Sequence, residues 1–341
     1  MFMEIIYKPS FTIYFISMKC VIITTINDVT DAIEKHIMNK GYDVIIVGDK
    51  KTPNCYHDLD CVYLDLVKQE ELFPTLYELL PFNHYCRKNL GYLYAIQNNY
   101  DIIYETDDDN IPYENFDEVL NVNKKYPLVE NINSEWINIF KYFTNDFIWP
   151  RGYPLSLIKN DFTLKTAEDC DIKPSIINGL VDNDPDTDAL FRLICNNDVN
   201  WKMDKSVIVS NKNMCVFNTQ NTFWLNKQMF ISLLIPCSVT FRYCDILRGI
   251  ICNLFLRKMN LHMCYVSPNV IQLRNEHNLM EDFNSEVSMY QANESILECF
   301  EGIDYSLDNR SFIINIYERL LKNKIITELD MVIIKEWIKY F

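Results

Sequence analysis

The stretch Ile102-Ile103-Tyr104-Glu105-Thr106-Asp107-Asp108-Asp109-Asn110 decides how this 341-residue chain reads. Ile102 to Glu105 has the character of a buried strand, and three consecutive carboxylates follow one residue later. Like charges at contact distance raise one another's pKa, so bringing them together is costly. A fold keeps such a cluster where a cation relieves the repulsion, and hard divalent ions such as Mg²⁺ or Mn²⁺ choose carboxylate oxygens. At the carboxyl end of a strand in an α/β sheet, that cation sits where phosphorylated ligands bind. The alternative is a solvated acidic turn, which is common in an acidic protein.

What surrounds the triplet bears on the choice. Upstream, Cys20 to Thr25 is a β-branched run that ends in Thr24, Thr25 and Asn27. A helix is expected from Val29 to Asn39 with Asp28 as its N-cap. Tyr42 to Val47 reads as a second strand closed by Gly48-Asp49, and Cys61 to Leu64 as a third. Glu70 to Leu80 and Arg87 to Asn98 carry helical periodicity. Strand and helix therefore alternate, which predicts an α/β fold built on a mostly parallel, doubly wound sheet.

In such a sheet four polar sets fall on the ligand side: Thr24, Thr25 and Asn27; Asp49 with Lys50 and Lys51; Arg87, Lys88 and Asn89; and the aspartates. A helix start bearing Arg87 and Lys88 is an anion site, and Arg can grip phosphate with a fork of donors. A metal held by Asp107 and Asp109 would bridge the same diphosphate, with Asp107 and Asp108 also counted among the donor-binding residues. Asp49 would accept from a base or ribose hydroxyl. Each set has a plainer reading, as a solvated cationic pair or an ordinary polar turn.

Farther on, residues 140–226 look irregular and rich in Trp, Pro, Asn and Asp, which suits long active-site loops. The turn holding Asp186 and Asp188 either recognises sugar hydroxyls or is structural, with Asp186 or Thr187 capping the helix from Ala189 to Cys195. Trp149-Pro150-Arg151-Gly152-Tyr153 either stacks on a sugar or packs. After a strand-like run, Asp245 lies between Arg242 and Arg248, as an ion-pair network or as a general base held ionised by its neighbours. Arg248 is placed with the donor-binding residues. His277, after the strand-like Asn269 to Leu273, is either structural or a further ligand of an oxygen-rich metal site. Residues 309–341 read as two amphipathic helices packed on the sheet, with Phe312, Ile313, Ile316, Leu320 and then Leu329, Val332, Ile333 and Trp337 inward.

Composition narrows the class. With 49 % hydrophobic residues the chain can bury a large core. A net charge of −15 argues against nucleic-acid or anionic-membrane partners, which need a basic face. The 12 cysteines lack zinc spacing and read as small hydrophobes in a reducing, cytoplasmic setting. The longest apolar stretch, Met229 to Phe241, is broken by Ser232, Pro236 and Ser238 and is too short to span a membrane. Residues 1–17 read as a dispensable extension before Met18, 18–290 as the sheet domain, and 291–341 as a helical segment packed on it. Oligomeric state is not legible.

The runs Val47 to Pro53, Arg87 to Ile96, Glu105 to Asn110, Trp149 to Leu155, Asp184 to Ala189, Asp245 to Gly249 and Arg274 to His277 resemble the STELLO-type glycosyltransferase family. That family is related more distantly to the reversibly glycosylated polypeptides, the UDP-arabinopyranose mutases. The resemblance implies a GT-A-like nucleotide-diphospho-sugar transferase fold with the triplet as its DxD motif. It further implies Mn²⁺ or Mg²⁺ at Asp107 and Asp109 joined by His277, Asp245 as catalytic base, and a nucleotide-sugar donor, most simply a UDP-sugar. The acceptor, whether glycan, protein or small molecule, is not specified. A nucleotide-sugar mutase and a catalytically idle scaffold of the same fold are the alternatives.

Overall fold

The computed structural model describes residues 17–121, 124–160, 163–195, 198–273 and 278–341. The expected N-terminal extension lies almost wholly outside them. Among the described residues the strands are β1 Lys19–Thr24, β2 Asp43–Val47, β3 Val62–Leu64, β4 Ile102–Thr106, β5 Asn110–Pro112, β6 Tyr126–Asn131, β7 Leu164–Cys170, β8 Ile176–Asp182, β9 Ser206–Val209, β10 Asn221–Trp224 and β11 Met263–Gln272. They form one sheet in the order β3-β2-β1-β4-β10-β8-β11-β9-β6-β7, with β5 paired to β11. The chain is therefore a mixed α/β protein around a central sheet, in the class expected.

The four strands from β3 to β4 are parallel, as the alternation of strand and helix predicts. Beyond β4 the sheet turns mixed, because β10 runs antiparallel to both β4 and β8. The segment 140–226, expected to be irregular, in fact supplies β7 to β10. Asn178 and Gly179 interrupt the apolar run of β8, which hides it from a pattern search. A Cβ on Gly179 would lie 2.3 Å from both the Asn221 and Asn269 amides, so glycine is what lets that polar layer cross the sheet.

Side chains of the parallel half alternate between faces, as a period of two requires. Val21, Ile23, Val44 and Ile46 point to one side, and Ile22, Ile45, Val47 and Leu64 to the other. Each fully buried side chain of this size contributes about 1.5–3 kcal/mol. The helix Lys88–Gln97 lies close against the second face because Gly91 meets Val47 and Ile22, where a Cβ would come within 2.6 and 2.8 Å. That close approach brings the turn before the helix up to the tip of β4.

Several boundaries differ from expectation for identifiable reasons. The first helix runs Asp31–Met38 and is capped by Thr30, whose hydroxyl accepts from the Ile33 N–H, rather than by Asp28. The helical stretch 70–80 is two helices, Leu66–Leu72 and Pro74–Leu79, since Pro74 has no N–H to continue the first. The run 229–241 is no strand but a 3₁₀ segment, Lys227–Leu233, followed by a loop. The C-terminal helices, Asn309–Lys322 and Glu328–Trp337, share the main core. Trp337 donates to the Ile231 carbonyl at 2.9 Å. In the second of them Met331 and Ile334 face inward, whereas Leu329 and Val332 are turned outward.

His36 is fully buried against the rings of Tyr104 and Phe116, and among the described residues neither of its ring nitrogens has a hydrogen-bond partner. Burial pushes its pKa down to about 3, so the native state holds the ring neutral while the unfolded chain protonates near 6.5. The unfolded state then binds more protons below that pH, and stability falls on acidification by about 1.4 kcal/mol per pH unit down to about pH 3. In urea titrations from pH 7 to pH 4, His36→Phe is expected to flatten this dependence. An unchanged slope would assign the loss to other groups.

Candidate functional site

A cleft of about 400 Å³ opens at the carboxyl edge of the sheet and is lined by residues after β1, β2 and β4, by Gln272 of β11, and by the loops around 151, 186 and 218–245. Of the sequence-derived candidates, Thr24, Thr25, Asn27, Asp49, Arg87, Asp107, Asp108, Asp109, Asp186 and Asp245 border it.

The triplet turns directly off β4, and each carboxylate meets a different segment. Asp108 accepts from the Thr25 hydroxyl at 2.5 Å and from the Asn27 amide at 3.0 Å, which ties the end of β1 to the acidic turn. Asp107 accepts from the Tyr85 hydroxyl and from Lys88 Nζ, the latter at 3.3 Å. Asp109 accepts from the Asn110 amide at 3.1 Å and from Gln272 Nε2 at 2.9 Å. Burial raises the pKa of Asp107, with the Lys88 ammonium opposing it. Burial, reinforced by the charges of Asp107 and Asp108, pushes Asp109 up to about 7. These carboxylates are thus held together at an electrostatic cost in the absence of a cation.

Nearby, Asp49 accepts from the backbone N–H groups of Lys50 and Asn83, both at 2.7 Å. Thr52 donates to the Thr25 carbonyl at 2.6 Å, joining the ends of β1 and β2. Lys51 borders the cleft, is exposed, and makes no ion pair or hydrogen bond among the described residues.

Arg87 has another task. Only 1 % of it is accessible, and its guanidinium donates inward to Gln69 Oε1 and the Leu80 carbonyl while stacking on Phe82. The anion site expected at this helix start is therefore corrected, because its arginine is consumed by the core. Lys88 is also buried, and spends its three donors on Tyr85, Thr106 and Asp107. Asn89 donates to and accepts from the backbone of Ile235 at 2.9 and 2.8 Å, a structural pin.

On the far wall Arg151 forms two bidentate pairs. It holds Asp186 at 2.8 and 3.0 Å and Asp245 at 3.0 and 2.8 Å. Burial opposes the charge on Asp186, but the guanidinium outweighs it and holds that carboxyl at about 2. With both oxygens of Asp245 taken by Arg151, the carboxylate expected to be a base is committed to an ion pair. Asp188 caps the helix Ala189–Ile194 by accepting from the Phe191 N–H at 2.7 Å, and it also accepts from the Trp149 indole at 2.6 Å. It does not border the cleft, and Trp149 is buried. Arg248 belongs to the core as well, paired with Glu105 at 2.8 and 3.1 Å with both side chains fully buried. The expected metal ligand His277 lies outside the described residues.

Beyond the acidic residues, reasoning from sequence missed Tyr85, Gln220 and Gln272. Their neutral side chains carry no charge pattern to flag them. Arg151 was visible in its Trp-Pro-Arg-Gly run, but the aromatic residues drew the functional reading there.

Fold and cleft together define an α/β protein with an acidic cleft at the carboxyl edge of its sheet. The chain is 27 % identical over 253 residues to the probable glycosyltransferase STELLO1 of Arabidopsis thaliana and 26 % identical over 253 residues to STELLO2 of the same plant. Each match covers 68 % of this chain and 32 % of the relative, so the chain spans about a third of the length of the curated relatives it matches. No family model matches it. The resemblance read from the motifs is thereby borne out. Among the described residues no helix is long and apolar enough to cross a membrane.

Glu105 accepts from Arg248, Tyr92 and Trp224 directly beneath the triplet. Arg248→Met leaves that carboxylate buried and unpaired, which is expected to cost about 3–5 kcal/mol in urea unfolding. Adding Glu105→Gln should recover most of the loss, since no buried charge remains. A double variant as unstable as the single one would mean that packing around Arg248, not charge, sets the effect.

Proposed function

We propose that this chain is a glycosyltransferase that takes a sugar from a nucleoside-diphosphate donor, most simply a UDP-sugar, with a divalent cation at the acidic triplet. One observation supports the reading above the others: Asp107, Asp108 and Asp109 meet the ends of β1 and β2 in a cleft whose volume suits a small ligand. Both named relatives are called probable glycosyltransferases, which agrees with it.

The donor set fits Mg²⁺ or Mn²⁺, because the groups on offer are carboxylate oxygens crowded at a cost that a cation removes. Among the described residues no three His, Cys, Asp or Glu side chains converge on one point. A cation bound by one or two carboxylates draws its other ligands from phosphate oxygens and water, which is the usual way Mg²⁺ sits on nucleotides. When bound, it supplies charge stabilisation for the departing diphosphate.

The protein's own groups have separable tasks. Asp109 meets the neutral amides of Asn110 and Gln272, whereas Asp107 already faces the Lys88 ammonium. Lys88 opposes the upward shift that burial imposes on Asp107. Lys51, unpaired at the rim, is suited to the terminal phosphate. Asp108 positions Thr25 and Asn27, leaving Asp49 and Thr24 to face the nucleoside.

The commitment of Asp245 to Arg151 favours a second reading, in which no acceptor base is needed. A retaining transfer, or a mutase that rearranges the sugar on its nucleotide, meets that condition. Release of free nucleoside diphosphate distinguishes transfer from rearrangement.

Isothermal titration of UDP and of UDP-sugars with Mn²⁺ tests the proposal. Asp109→Asn is expected to weaken Mn²⁺-dependent binding at least tenfold, a loss of about 1.4 kcal/mol or more. It should leave the far-ultraviolet dichroism unchanged. Because it removes one of three crowded charges, it is also expected to raise the thermal midpoint of the ligand-free protein by about 2–4 °C. Binding that is equally tight in the variant removes the metal from the proposal.

A further inference from the structure

One polar side chain in the cleft has no partner and no role so far. Gln220 is 6 % exposed, borders the cleft, and its Oε1 is buried without a hydrogen bond among the described residues. A buried amide left this way costs free energy, and native structures tolerate it where a ligand completes the bond.

The backbone around it is held firmly on both sides. Gln220 N–H donates to Asn218 Oδ1 at 3.0 Å, and Asn218 itself donates to Asp186 at 2.6 Å. Thr219 donates to the Tyr85 hydroxyl at 2.6 Å, and Tyr85 in turn holds Asp107. Immediately after it β10 begins, with Asn221 opposite Thr106 of β4. That antiparallel register sets Gln220 level with Asp107. The unsatisfied amide is thus carried on a rigid floor between the acidic triplet and the Arg151–Asp186 pair.

We infer that Gln220 is a specificity-determining residue that reads the transferred sugar: its amide oxygen accepts a hydrogen bond from a ring hydroxyl. The inference rests on the nucleotide-sugar reading of the same cleft. An unpaired acceptor needs a donor, and phosphate oxygens at neutral pH supply none, whereas sugar hydroxyls do. With the diphosphate held at the triplet, the sugar bonded to it is the part of the ligand within reach of a side chain level with Asp107. A site with a buried amide also discriminates by penalty, because a sugar lacking the matching hydroxyl leaves that amide unpaired.

The test compares wild type with Gln220→Met, which keeps length and loses the amide, and Gln220→Asn, which withdraws it by one methylene. Dissociation constants are measured with Mn²⁺ for UDP, GDP and their hexose and pentose derivatives. For the sugar nucleotide that wild type prefers, both variants should bind about five- to tenfold more weakly, and the preference among sugars should narrow. The free nucleoside diphosphate should stay within about twofold of wild type. Equal weakening of both ligands would mean that Gln220 acts through the floor and the triplet, and no change in either would remove it from the site; each overturns the inference while leaving the proposed donor class intact. If wild type binds no nucleotide or sugar nucleotide at all, the functional reading fails and this inference with it. Thermal midpoints within about 3 °C of wild type identify the variants that are folded, and either one suffices.

Discussion

Three consecutive negative charges repel one another, and the carboxyl edge of this sheet is organised around that repulsion. The fold assigns each aspartate its own partners from a separate part of the chain: the loop after β1 for Asp108, the turn at Tyr85–Lys88 for Asp107, and the end of β11 for Asp109. Segments far apart in sequence are therefore knitted together by the groups that would otherwise drive the turn apart. The partners are mostly neutral. Among the described residues Lys88 is the cation in salt-bridge range of the triplet, so local charge stays negative.

An acidic protein has few cations to spend, and here most of those near the cleft are structural. Arg87, Arg151 and Arg248 are each nearly or fully buried, and each uses the planar fork of the guanidinium to fasten two elements. Such pairs gain little net stability, since desolvation offsets attraction, but removing one partner strands a buried charge. They hold the cleft walls in register. Lys51 stays exposed at the rim of the cleft, and Gln220 and Gln272 line it with neutral amides.

This division of labour explains where residue patterns mislead. Arg87-Lys88 at a helix start has the composition of a phosphate site, yet both side chains turn inward because their neighbours, Gln69 and the Leu80 carbonyl on one side and Tyr85 on the other, satisfy them there. Asp186 and Thr187 have the spacing of a helix cap, yet Asp188 makes the cap while Asp186 pairs with Arg151. Asp245 sits between two arginines in sequence, but the guanidinium that grips it is Arg151, from 94 residues away.

Local chemistry in the chain was enough to establish the alternation of strands and helices in the first hundred residues, the parallel half of the sheet, the acidic tip of β4 and the two C-terminal helices. Those features follow from periodicity and from the cost of adjacent charges, which act between near neighbours. The mixed half of the sheet and the identity of the cleft walls were decided only by tertiary structure. Whether a charged side chain faces a ligand or a partner depends on which distant donor reaches it first, and no spacing along the chain encodes that distance.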